Sequence, residues 1–176
     1  MLCAQAPMEE IPAFALCETS LDALRVSALV ASLDDAGCGA LVTFEGRVRN
    51  LNEGRKVASL CYEAYPALAH AEASAIFAEA RARFGFTAAH CMHRVGELAV
   101  GEVAVWIGVV SAHRDVAFEA CRFLIDEIKA RVPIWKKETY VDASASWVTC
   151  LGCAGRSSRH SHAIDFGRRA IVEVTT

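Results

Sequence analysis

Between Lys129 and Lys137 the chain carries four basic residues, Lys129, Arg131, Lys136 and Lys137, and no acidic one. A second basic stretch, Arg47, Arg49, Arg55 and Lys56, is interrupted by Glu53. Brought together, the two would hold a phosphate or carboxylate, arginine through its planar fork and lysine as a mobile point charge. Lysine also offers reactivity, because desolvation or a neighbouring cation favours its neutral form and lets it act as base or nucleophile. Lys136 has such a neighbour in Lys137, and Lys129 gains one if its helix end turns inward. The bland alternative is a solvated helix end and a solvated loop.

His113 and Arg114 follow an apolar run at a strand-to-helix junction, where unpaired backbone N–H groups favour anions. A turn residue and a surface ion pair are the competing reading. His90 and His93, three apart in a strand, point to opposite faces and read as structural, not as a metal pair. Cys150 and Cys153 form a lone CxxC, and His160 and His162 lack finger spacing, so redox or zinc use of the tail is the minor reading. Walker, GxGxxG, HExxH and GxSxG patterns are absent, which leaves nucleotide-driven chemistry without support.

The 176 residues are 54% hydrophobic, enough for one domain with a real core. A net charge of −3 argues against a general nucleic-acid binder, so anion binding must come from local basic clusters. Apolar runs are too short for a membrane span and no export signal opens the chain, so a cytoplasmic protein is expected. Of eight cysteines, Cys38, Cys61, Cys91 and Cys121 lie in apolar patterns where a reduced thiol serves as a small hydrophobe.

To position these groups the pattern predicts a flexible N-terminus over residues 1–13, one domain over 14–150 and a partly flexible tail over 151–176. A short extended piece at 14–17 precedes a helix capped by Thr19 or Ser20, with Leu21, Leu24, Ala28 and Leu29 inward and Gly37 as its stop. Strands follow at 39–46 and 57–65, joined as a hairpin-like pair by a polar loop with turn chemistry at 52–54. Pro66 opens a helix to Phe84, with Leu68, Ala73, Ile76, Ala80 and Phe84 inward and Gly85 as stop. Strands at 88–95 and 103–110, the latter central, lead to a helix from His113 or Arg114 to Arg131. Its buried stripe is Ala117, Cys121, Leu124 and Ile128. Pro133 ends that helix, and a strand over 134–141 sets Lys136 and Glu138 on one face. The mixed order with hairpin-like joins indicates α+β.

The runs GALVTFEGRVRN, YEAYP, HRVGEL, GVVSAHRDVAFEA and IKARVPIWKKE occur in that order across residues 38–148. Together they strongly resemble the MoaE family, the large, catalytic subunits of molybdopterin synthase. The resemblance implies an α/β-hammerhead-like fold with a mixed or antiparallel sheet and a small added antiparallel β subdomain. It implies a homodimer at the core of a heterotetramer, with a small ubiquitin-like sulfur carrier at each end. The implied activity passes two sulfurs from that carrier's C-terminal thiocarboxylate to cyclic pyranopterin monophosphate, which forms molybdopterin. No metal or other cofactor is implied, and none of the cysteines need be catalytic. Lys129 and Lys136 match the family's essential lysines, whereas Arg47, Arg49, His113, Arg114, Lys137 and Glu138 match substrate-pocket positions. Lys136 is the first choice for acid/base work and Lys129 for holding the thiocarboxylate. The alternative is an assembly subunit that binds the pterin without catalysis. One departure stands out: the family's arginine shortly after the tryptophan matched by Trp147 is replaced by Thr149, Cys150 and Leu151, with Arg156 out of register.

Overall fold

The computed structural model describes residues 12–148; the expectations for Cys150, Cys153, Arg156, His160 and His162, and for most of both termini, lie outside them. In chain order the elements are β1 (Phe14–Cys17), α1 (Ala23–Ser32), β2 (Ala40–Arg47), β3 (Leu51–Asn52), β4 (Arg55–Ala64) and α2 (Pro66–Phe84). They continue as β5 (Ala88–Arg94), β6 (Gly96–Ala99), β7 (Val103–Ser111), α3 (Arg114–Arg131), β8 (Ile134–Tyr140) and β9 (Ala145–Val148). The architecture is α+β, built on two sheets.

The first sheet runs β1-β5-β7-β2, with β1 parallel to β5 and the other pairings antiparallel. Strand β7 is buried at every position, which explains its unbroken apolar sequence. One face of the sheet meets α2 and α3 through Ile76, Ile107, Leu124 and Ile128, side chains whose burial contributes about 1.5–3 kcal/mol each. The other face meets α1 through Leu29, Leu33, Met92 and Trp106. Gly108 is required where these layers touch, because a Cβ there would stand 2.7 Å from Leu33 and collide with the Trp106 ring.

The second sheet orders β3-β4-β8-β9, and β6 pairs with β4 beside β3. This is the antiparallel subdomain. It overturns the expected pairing of residues 39–46 with 57–65: β2 pairs with β7, and the tight hairpin is β3 with β4, through Glu53 and Gly54 at positive φ. The turn residues were read correctly, but both candidate partners are apolar strands, and local pattern does not say which sheet a strand joins.

Helix α1 also departs from expectation. Asp22 is its cap, accepting from the Arg25 N–H at 2.9 Å, and the helix stops at Leu33, four residues before Gly37. Leu24 and Ala28 point to solvent while Leu21, Leu29 and Leu33 pack inward, and Leu68 of α2 is likewise exposed. Helix α2 otherwise begins at Pro66 and ends on a left-handed Gly85 as read. Strand β9 follows the last strand expected from the sequence, over 134–141, and had no counterpart in that expectation. Among the described residues no helix is long and apolar enough to cross a membrane.

Candidate active site

Val132 adopts an extended backbone ahead of Pro133, so α3 ends and β8 begins within three residues. That corner sets Lys129, in the last turn of α3, and Lys136, in β8, on the walls of one cleft of about 530 Å3. Arg47 joins them from the end of β2, where the β2–β7 register slips between Gly46 and Arg47. The two basic stretches of the sequence therefore meet through Arg47, Lys129 and Lys136.

Each cation is held differently. Arg47 donates to Glu45 Oε2 at 2.6 Å from Nη2 and 3.1 Å from Nε. Lys136 Nζ lies 2.9 Å from Glu138 Oε1. Lys129 stands over the Phe44 ring at 5.9 Å and, among the described residues, makes no ion pair. It is thus the cleft cation whose charge is uncommitted.

Glu138 is buried, with 3% of its surface exposed. Its Oε2 accepts from Tyr140 Oη at 2.9 Å and from Asn52 Nδ2 at 3.0 Å. Burial alone would raise its pKa, but the bonds from Lys136, Tyr140 and Asn52 outweigh it and hold the carboxyl below its ordinary value. Arg49 reaches this network indirectly, with Nη2 3.4 Å from Asn52 Oδ1.

Other predicted residues lie elsewhere. Lys137 alternates to the opposite face of β8, where its Nζ sits 5.9 Å from the Trp147 ring centroid. His113 caps α3 and Arg114 begins it, sixteen and fifteen residues before Lys129, a separation of roughly 22–24 Å along the helix. Both are exposed, and Arg114 faces Asp115 at 3.8 Å. Arg55 is spent on Asp142 at 3.2 Å and on the Tyr140 ring. Arg131 binds Glu72, Glu79 and Glu127, which removes it from the basic group read off the sequence.

Sequence reasoning gave no part in the site to Asn52, Tyr62, His93 or Tyr140, placing Asn52 in a turn and reading His93 as structural. Tyr140 shares the period-two face of Lys136 and Glu138, a usable signal. Tyr62 lies opposite Lys136 in the β4–β8 register and lines the cleft with His93. Only the pairing of β4 with β8 and the meeting of two sheets reveal those contacts.

The family described as MoaE protein matches residues 15–131. The molybdopterin synthase catalytic subunit of Oryza sativa subsp. indica is 42% identical over 139 residues, covering 79% of this chain and 72% of the rice protein. The corresponding subunit of Thermoplasma volcanium is 46% identical over 109 residues, covering 62% and 80%. Among solved structures, molybdopterin synthase from Staphylococcus aureus superposes with a TM-score of 0.71 at 32% identity, covering 79% of this chain and 98% of that one. With its two sheets, its cationic cleft and this degree of likeness, the chain belongs to the MoaE family.

Proposed function

We propose that this protein is the catalytic subunit of a molybdopterin synthase, a sulfurtransferase that inserts two sulfurs into cyclic pyranopterin monophosphate. The sulfurs come from the thiocarboxylated C-terminus of a small ubiquitin-like subunit. The observation that carries this reading is the meeting of Lys129 and Lys136 across one cleft, one uncommitted and one anchored by a buried carboxylate. An uncommitted ammonium suits an incoming thiocarboxylate or phosphate. A fixed one suits proton donation to the oxygen function that sulfur displaces.

Arg47 adds charge at the cleft for the substrate phosphate, and Arg49 supports the Asn52–Glu138 network from outside. His113 and Arg114, far along α3 from the lysines, would serve a cleft only from a second copy of the chain, in keeping with the proposed homodimer at the core of a heterotetramer. Lys137, turned away from Lys136, is assigned to the subdomain surface beside Trp147. We further propose that residues 14–150 act as one catalytic unit with 151–176 appended. A cytoplasmic setting is consistent with the free thiols of Cys17, Cys38, Cys61, Cys91 and Cys121.

The test mixes the purified protein with a thiocarboxylated small subunit and the cyclic pterin and assays dithiolene product. Product formation that falls about a hundredfold or more in Lys129→Ala and Lys136→Ala, with both variants folded, is the expected result. No product from the folded, partner-bound wild type would overturn the assignment.

A further inference from the structure

His93 is titratable, buried and without a part in the chemistry above, yet it lines the same cleft as both lysines. It stands near the end of β5, and its Nδ1 lies 2.8 Å from the Arg94 carbonyl oxygen. A carbonyl only accepts, so Nδ1 carries the ring proton and Nε2 carries the lone pair. Among the described residues no donor hydrogen-bonds to Nε2. Tyr62 packs edge-on against the imidazole, with ring centroids 4.9 Å apart, and lies directly opposite Lys136 in the sheet register. The imidazole is therefore one side chain from Lys136. Burial first, and then the charge of Lys129, lowers its pKa to about 4 against the opposing bond to the Arg94 carbonyl. In a cleft that gathers cations, one wall holds a neutral nitrogen base.

We propose that His93 accepts the proton of the water that releases the spent partner tail. The inference rests on the sulfur-transfer reading. In a thiocarboxylate the sulfur is bonded to the tail's carbonyl carbon. Once that sulfur bonds to a pterin carbon and the displaced oxygen group leaves, the tail remains attached through a thioester. Release then consumes one water. An O–H proton passes to His93 Nε2, the water oxygen bonds to the acyl carbon, and the carbon–sulfur bond of the tail breaks with its electron pair on sulfur. The tail departs as a carboxylic acid, and the proton on Nε2 passes to the thiolate or to solvent, so no oxidant or reductant is needed. A bound anion offsets the charge of Lys129, which raises the basicity of His93 when substrate is present.

The decisive comparison is His93→Gln against wild type in the reconstituted complex, by single-turnover mass spectrometry. Product formation falls about a hundredfold, the partner–pterin thioester adduct accumulates, and partner affinity and thermal unfolding stay near wild type. A variant that makes product at the wild-type rate without adduct overturns the role of His93 alone, whereas a wild type that makes no product overturns the sulfur-transfer reading with it. Nitrogen NMR of the wild-type ring gives a check independent of the variant's folding. A neutral Nδ1–H tautomer at pH 7 is expected, and a proton on Nε2 in the resting protein refutes the proposal.

Discussion

Lys136 Nζ and Glu138 Oε1 stand 2.9 Å apart on one face of β8, and the carboxylate is the more deeply buried of the two. The pair is asymmetric in consequence. Glu138 keeps two further donors, Asn52 and Tyr140, if Lys136 is lost, whereas Lys136 has Glu138 as its ion-pair partner among the described residues. We therefore propose that Glu138 positions Lys136. In Glu138→Gln the side-chain volume is kept and the charge removed, so the ammonium loses its anchor. The expected outcome is a kcat at least about tenfold below wild type and a stability loss of about 1–3 kcal/mol by urea unfolding. An unchanged kcat would show that Lys136 needs no anchor.

Arg131 ties α3 to α2. Its Nε lies 2.7 Å from Glu72 Oε1 and its Nη1 lies 2.7 Å from Glu79 Oε2, with Glu127 at 3.4 Å. Hydrogen bonds that the guanidinium donates to Glu79, the largest cause, and to Glu72 raise its pKa against the cost of burial, and Glu79 is lowered in return. In Arg131→Met three carboxylates face one another without a cation. The side chains are partly exposed, so screening limits the loss to about 1–2 kcal/mol. Thermal unfolding would move down accordingly, with the KM for the pterin near wild type. A large rise in KM would return Arg131 to the substrate.

The separation of His113 and Arg114 from Lys129 gives a complementation test. Lys129→Ala and Arg114→Ala are each expected to abolish most turnover in pure form. If a site takes Lys129 from one copy and Arg114 from another, a mixed dimer regains one intact site, and statistical mixing restores about a quarter of wild-type activity. Equal inactivity of the mixture and the pure variants, with exchange verified, would place both residues in one chain's site.

What could be read from the sequence followed the range of the interaction. Helices α2 and α3 carry their boundaries locally, in Pro66, Gly85 and Pro133, and strand β7 announces itself by a continuous apolar run. The face shared by Lys136 and Glu138 follows from period two alone. One sequence reading failed where a second sheet decides. Residues 39–46 and 57–65 look like a hairpin until β7 takes β2 as its edge and β8 takes β4. The structural reading of His93 agrees with its burial, but one strand cannot show what faces the ring, and Tyr62 arrives from the other sheet, thirty-one residues away in the chain. Arg131 failed differently, since its three carboxylates lie on the same pair of helices but are invisible to a count of charges between Lys129 and Lys137.

Acid tests the buried polar groups together. His93 has a pKa lowered to about 4 in the fold, by burial above all, against 6.5 when free. Between those values the unfolded chain binds a proton that the native state refuses, so stability rises with pH through this window and is fully present above it. The effect is worth up to about 3 kcal/mol. Glu138, lowered from 4.5 by bonds that outweigh its burial, acts further down: its contribution is present above that value and is lost as pH falls through the folded pKa. Urea unfolding should therefore show stability declining from pH 6.5 toward pH 4 and falling again below pH 4.5. His93→Gln should flatten the upper window and leave the lower one. A wild type equally stable at pH 7 and pH 5 would mean that His93 is not held neutral beside Lys129.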